Sequence, residues 1–382
     1  MRGKGFRAKR AMLVVLAVGV LALVLAACGA TDDDSGTEST GGGETSSSQQ
    51  QSSVEPLTTV PTSGGEMVDT AEFKTDEPWT IGYSDASLSN SWRVFAWQYM
   101  QAEAEAHPGV EEVIHANAND STPKQVSDIE NLLSRDVDCM IIAPTSATAL
   151  APAISAASAQ MPVVINERAV EGENYTSFAS LKAVEMGELQ AEAVVQALGG
   201  KGKIVVLQGI QGAGPVTENL EGMEKVLDEN PGLEVIATEY TDWSRDKAKQ
   251  QMENLLQANP QIDGILSDSG LQNEGAFEAV KDAGRVDEVK VWTGDTVQGW
   301  MRTVDKEELP GVVVDRPTIV GAESMALCVA ILEGKPVPKL WSTENVVIDQ
   351  TEMSEYIAKD TPGSSEWWDW WNLPEKWLPK SS

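Results

Sequence analysis

From Trp79 onward the chain alternates short apolar runs with stretches of helical periodicity, a pattern that suits a parallel α/β arrangement. Ile81 to Ser84, Val113 to Ala116, Cys139 to Ala143 and Pro162 to Asn166 read as strands, separated by helices over Ser91 to Ala106, Pro123 to Arg135 and Leu150 to Ala159. A second round follows. Its strands are Lys203 to Leu207, Leu233 to Ala237, Gly264 to Ser267 and Val289 to Trp292, and its helices Val184 to Leu198, Thr217 to Asn230, Arg245 to Asn259 and Glu274 to Ala283. Two such rounds predict two doubly wound parallel-sheet lobes. In open α/β sheets ligands bind outside the carboxyl ends of the strands, so two lobes facing each other make a cleft lined by the residues after each strand.

Charge and rare residues narrow the chemistry of that cleft. With 28 Lys+Arg against 59 Asp+Glu the net charge is -31, the opposite of what a phosphate backbone attracts, so nucleic acid is excluded as a partner. Two His and three Cys provide no set of ligands for a metal site, and no cofactor is expected. His107 and His115 read as surface or strand-edge residues, and a His-dependent nucleophile is not credible.

The chain's ends differ from its body. Arg2, Lys4, Arg7, Lys9 and Arg10 precede an uncharged run from Ala11 to Ala27 that ends at Cys28. The Leu25-Ala26-Ala27-Cys28 sequence resembles the bacterial lipobox, so residues 1–27 are expected to be a cleaved signal peptide and Cys28 a lipidated N-terminus on the outer face of the cell membrane. Cleavage removes five basic residues and no acid, leaving the exported protein still more acidic. Residues 28–78, rich in Gly, Ser, Thr and acidic residues, are expected to be a flexible tether. The last segment, 365–382, holds Trp367, Trp368, Trp370, Trp371 and Trp377, five of the chain's 12 Trp.

The residues that follow the predicted strands are polar and aromatic. Ser89-Asn90-Ser91-Trp92-Arg93 follows the first strand and Asn166-Glu167-Arg168 the fourth; Gly209 to Thr217, Asp242-Trp243, Asp268-Ser269 and Gly294-Asp295 follow strands of the second round. Carboxylates, amides and guanidiniums interleaved with Trp suit a sugar, whose vicinal hydroxyls take bidentate charged partners and whose apolar face packs on an indole. Gly209 to Gly214 lacks the dinucleotide glycine spacing and reads as a turn lining the cleft.

On these residues the sequence resembles the type I periplasmic sugar-binding proteins of ABC importers, the ribose- and galactose-binding group, from about Ile81 to Asp349. The resemblance rests on Ile81 to Trp92, Asn119 to Leu133, Asp138 to Pro144, Pro162 to Arg168, Gly200 to Gly209, Glu253 to Pro260, Val291 to Asp295 and Val314 to Pro317. It implies ligand contacts at Asn90, Trp92, Arg93, Glu167 and Arg168 in lobe one, at Thr217, Trp243, Ser269 and Asp295 in lobe two, and at Asp315 near the hinge. Thr217 stands where the family usually has Arg, Ser269 where Asn is expected, Glu167 where Asp is, and Arg93 replaces an aromatic. The Ser-Trp-Arg turn is similar to the galactofuranose-binding branch, which favours a furanose or another ligand over ribose.

The resemblance also implies three crossings between the lobes, near Phe178, Asp315 and Ser342. Lobe one would then comprise 79–178 and 316–342, and lobe two 179–315 and 343–364. The expected function is a monomeric, non-catalytic, lipid-anchored receptor that closes around a monosaccharide or polyol and presents it to ABC permease subunits. Two alternatives share the pattern. The closed form could address a membrane sensor, or Glu167 with Asp295 or Asp315 could form a glycosidase pair acting on envelope glycans. Cys139, in a buried strand, and Cys328, in an apolar helix, are expected to be free thiols, because a strand centre and a helix interior rarely offer disulfide geometry.

Overall fold

A computed structural model of the protein describes residues 55–63 and 65–357. The expected signal peptide, the Cys28 lipidation site and the Trp-rich tail lie outside the described residues. Along the chain come β1 (Met67–Val68), β2 (Trp79–Asp85), α1 (Ser91–Ala106), β3 (Val110–Asn117), α2 (Thr122–Leu133), β4 (Cys139–Ile142), α3 (Ala151–Ser158), β5 (Val163–Glu167) and β6 (Ser177–Ser180). A second series runs α4 (Ala183–Leu198), β7 (Gly202–Gln208), α5 (Gly214–Glu229), β8 (Leu233–Tyr240), α6 (Arg245–Ala258), β9 (Gly264–Ser267), α7 (Gly270–Asp282), β10 (Val291–Gly294), α8 (Gln298–Lys306) and β11 (Gly311–Val314). The chain then returns through α9 (Val320–Leu332), β12 (Val337–Pro338), β13 (Leu340–Ser342) and β14 (Val347–Asp349).

Two six-stranded sheets result, in the orders β3-β2-β4-β5-β6-β13 and β8-β7-β9-β10-β11-β14. Position for position the orders are the same, except that β13 joins parallel to β6 while β14 joins antiparallel to β11. The predicted pair of doubly wound lobes is therefore the fold observed. Central strands such as Cys139-Met140-Ile141-Ile142 are buried along their whole length because helices cover both faces. The edge strands β3 and β8 instead carry exposed Glu111, Glu112 and Glu234. Segments 181–182, 315–319 and 343–346 carry the chain from one sheet to the other.

Two expectations are corrected here. The tether does not extend to residue 78: β1 pairs antiparallel with β12, the Leu57 amide donates to Glu103 Oε2 at 2.7 Å, and Thr75 N donates to Leu332 O at 3.1 Å. The polar composition of 55–78 hid four apolar anchors, Leu57, Val60, Val68 and Phe73, which pack on the core. Cys139 and Cys328 are not free thiols; they form a disulfide with Cα atoms 5.9 Å apart. The reason is that α9, buried on every side, lies against β4 and β5, so a cysteine inside the helix faces one in the strand. Their separation of 189 residues concealed that proximity.

Candidate functional site

In each sheet the strand order reverses at one gap, between β2 and β4 and between β7 and β9. The crevice beyond the carboxyl ends at such a gap is where open α/β sheets bind ligands. The two crevices share a cavity with about 380 Å³ of unfilled space, part of it open to solvent. Asn90, Trp92, Arg93, Glu167 and Arg168 line it from lobe one, Trp243, Ser269, Leu271 and Asp295 from lobe two, and Arg316 from the link between them.

On the lobe-one wall, Asn90 caps α1 by accepting a hydrogen bond from the Arg93 amide at 3.1 Å, which fixes the start of the helix and so the directions of Trp92 and Arg93. The Trp92 indole is buried and the Arg93 guanidinium sits 5.8 Å from its ring centroid. Arg93 Nη2 donates to Glu167 Oε2 at 2.5 Å, and its Nη1 lies 3.6 Å from Asp85 Oδ1. Arg168 Nε adds a second cation 3.6 Å from the same Glu167 oxygen. Burial alone would push the Glu167 carboxyl up, but Arg93, Arg168 and Arg316 outweigh it and hold the group below the usual carboxylate range, so it is ionised.

Lobe two is built differently. Trp243 Nε1 donates to Asp268 Oδ2 at 3.0 Å, and Gln272 Nε2 donates to Asp268 Oδ1 at 2.7 Å. The indole lies so close to Gly209 that a Cβ there would stand 2.0 Å from the ring, so the turn after β7 must carry glycine. That turn backs Trp243 and does not line the cavity. Ser269 caps α7, accepts from the Leu271 amide at 3.3 Å and donates to Asp295 Oδ1 at 3.2 Å, while Gly270 N donates to the same oxygen at 2.7 Å. Asp295 Oδ2 is buried with no hydrogen-bond partner. Burial pushes this carboxyl up to about 7 against the pull of Arg316.

Backbone strain gathers here as well. Of the seven non-glycine residues with positive φ among the described residues, Glu167, Asp242 and Trp243 adjoin the cavity.

Two expected contacts stand elsewhere. Thr217 is exposed, with its hydroxyl donating to Ala213 O at 3.2 Å; α5 starts at Gly214 with Pro215 in its first turn, so Thr217 falls inside the helix instead of leading into it. Asp315 is buried behind the lining, where its Oδ1 accepts Thr296 Oγ1 at 2.5 Å and burial pushes its carboxyl up to about 6. Sequence reasoning missed Leu271 and Arg316. The Val314-Asp315-Arg316-Pro317 run held the signal, but adjacent side chains on an extended link point opposite ways, and it is Arg316 that reaches the cavity. His107 pairs with Glu103 and His115 with Asp85, and neither lines the cavity.

The periplasmic binding protein domain family matches residues 81–336 of this chain. The ribose import binding protein of Bacillus subtilis is 30% identical over 261 residues, which cover 68% of this chain and 84% of that protein. The galactofuranose-binding protein of Escherichia coli is 25% identical over 292 residues, 74% of this chain and 91% of its own. A solved structure from Mycobacterium smegmatis in complex with β-D-fucofuranose superposes with a TM-score of 0.66 at 25% identity, covering 72% of this chain and 93% of that one.

Proposed function

This chain belongs to the periplasmic binding protein domain family, and from that premise we propose that it is the solute receptor of an ABC importer, capturing a monosaccharide or related polyol between its lobes. One observation supports this above the others: both sheets direct their carboxyl ends at a single cavity whose walls combine charged hydrogen-bonding groups with two indoles. The relatives bind ribose and galactofuranose, and the Mycobacterium structure holds a furanose, which sets the ligand class. Trp92 and Trp243 pack on the apolar ring faces, while Asn90, Arg93, Glu167, Arg168, Ser269 and Asp295 fix the hydroxyls. A ligand touching both walls favours the closed form, which the permease distinguishes from the open one.

The family is extracytoplasmic, and among the described residues no helix is long and apolar enough to cross a membrane. The lipid on Cys28 would hold the monomeric receptor at the outer face of the membrane. Lobe one would be the unit built on the sheet of β2 to β6 with β13, and lobe two the unit built on the sheet of β7 to β11 with β14. The site would do no chemistry, its carboxylates serving to hold ligand hydroxyls as in a family of substrate-binding proteins.

Calorimetry of the mature protein against ribose, galactose, arabinose, xylitol and myo-inositol tests the reading; no binding tighter than about 1 mM, roughly -4 kcal/mol, would remove it. Normal uptake of the bound sugar by a strain lacking the gene would favour a sensor over a transporter. Glycoside turnover lost on Glu167→Gln would establish a hydrolase instead.

A further inference from the structure

We infer that Arg316 is the positioning residue that ties the two indoles of the cleft together across the hinge, making ligand placement and lobe closure one event; the inference rests on the solute-receptor reading of the cavity. Arg316 lies in the link between β11 and α9, outside both walls, yet it reaches each of them. Its carbonyl oxygen accepts the Trp92 Nε1 proton at 2.9 Å, so the main chain of the hinge is fastened to the lobe-one indole. Its guanidinium points into lobe two, with Nη2 3.8 Å from Met186 Sδ on α4 and 3.9 Å from Asp268 Oδ2. That carboxylate oxygen is the one that receives the Trp243 indole N–H. A single residue therefore holds Trp92 by its backbone and steadies Trp243 through Asp268.

The link itself is held in place. Asp315 N donates to Val346 O at 2.8 Å, joining two of the three interlobe segments, and the Asp315 carboxylate accepts Thr296 Oγ1. Arg316 cannot move without disturbing one indole or the other. It also fills a gap in charge, because lobe two contributes no cation to the cavity lining and both of its buried carboxylates, Asp268 and Asp295, feel Arg316. At 3.9 Å the contact with Asp268 is an ion pair longer than a hydrogen bond. A guanidinium has five N–H donors, so Arg316 can steady Asp268 and still offer donors to a ligand hydroxyl. Lobe opening about this link would separate Arg316 from Asp268, from Trp92, or from both.

The test uses the mature chain with indole ¹⁵N labelling, Arg316→Met and Arg316→Lys, and no ligand in its first stage. Of the indole N–H resonances, assigned through Trp92→Phe and Trp243→Phe, that of Trp243 should shift in Arg316→Met, while that of Trp92, held by the main-chain carbonyl of residue 316, should stay. Arg316→Lys should return the Trp243 signal toward its wild-type position. In the second stage the tightest binder among ribose, galactose, arabinose, xylitol and myo-inositol should bind at least tenfold more weakly to Arg316→Met and recover part of that loss in Arg316→Lys. An unmoved Trp243 signal, or no recovery with lysine, would overturn the role of Arg316. Absence of sugar binding by the wild type with the Trp243 indole shifted would sink the receptor reading and leave the tie of Arg316 to Trp243 through Asp268 standing.

Discussion

Lobe one meets the cavity with Arg93, Glu167 and Arg168 already engaged with one another, and a disulfide in the same lobe joins β4 to α9. Lobe two, built on the same strand order, meets it with a carboxylate oxygen of Asp295 that has no partner and a Trp243 held through Asp268. The lobe-one charges are paired with one another before the ligand arrives, although Arg168 Nε has no hydrogen-bond partner, while lobe two keeps a carboxylate acceptor, Asp295 Oδ2, that a ligand hydroxyl would use. The electrostatics follow the same division: the arginines hold Glu167 below its ordinary range, while burial raises Asp268 and Asp295. The contrast shows that a shared topology places the walls but does not decide how much of the binding chemistry is satisfied in advance.

The largest expected effect would break the lobe-one side of this comparison. Glu167→Gln removes the anion from a buried cluster and leaves Arg93 with Asp85 at 3.6 Å as its remaining carboxylate, at a cost of about 3 kcal/mol in urea unfolding. Stability within 1 kcal/mol of wild type, about the size of an exposed pair, would mean that the wall is not preassembled. An effect of comparable size is expected at the disulfide. Replacing Cys139 and Cys328 with Ser should cost about 2–4 kcal/mol, since the crosslink closes a loop of 189 residues, and should leave sugar affinity unchanged because both ends lie in one lobe. A loss of affinity at constant fold would show that the staple shapes the cavity.

Asp295→Asn tests the lobe-two side. Burial raises this carboxyl from 3.8 to about 7, so between those values the folded protein keeps a proton that the unfolded chain has released. Stability therefore falls as pH rises through that window, and the loss is complete above about 7. The variant should melt several degrees higher than wild type at pH 8 and show little gain at pH 4, by differential scanning calorimetry. Wild-type sugar affinity should strengthen as pH rises through about 7, as the freed oxygen becomes a better acceptor, and the variant should lose that dependence. An equal gain at both pH values would show that Asp295 does not titrate in this window.

Much of the fold was legible because the βα alternation sets both the strand order and the location of the cleft. Helix starts were less so: α5 begins at Gly214 and α7 at Gly270, each ahead of its first clear apolar periodicity, because Pro215 and the Ser269 cap set the true boundaries. That shift removed Thr217 from the lining. Site residues anchored directly at a strand end, such as Glu167 and Asp295, were legible from position alone. Arg316 and the Cys139–Cys328 bridge were not, since both depend on how distant segments meet once the chain has crossed between sheets.

The smallest effect expected here is at Trp243, where the two walls are compared on equal terms because each supplies one indole. Trp243→Ala should weaken sugar binding by about 1 kcal/mol, roughly fivefold, through loss of an aromatic contact and its buried area. The loss stays modest because the indole is half-buried on Gly209 and gives its N–H to Asp268, so the ligand meets only part of the ring. Trp92, buried and bonded to the Arg316 carbonyl, carries more of the wall, and Trp92→Ala should cost more in both affinity and stability. If titration calorimetry finds the larger loss of affinity at Trp243, lobe two holds the principal stacking surface and the preassembled wall serves mainly to orient hydroxyls.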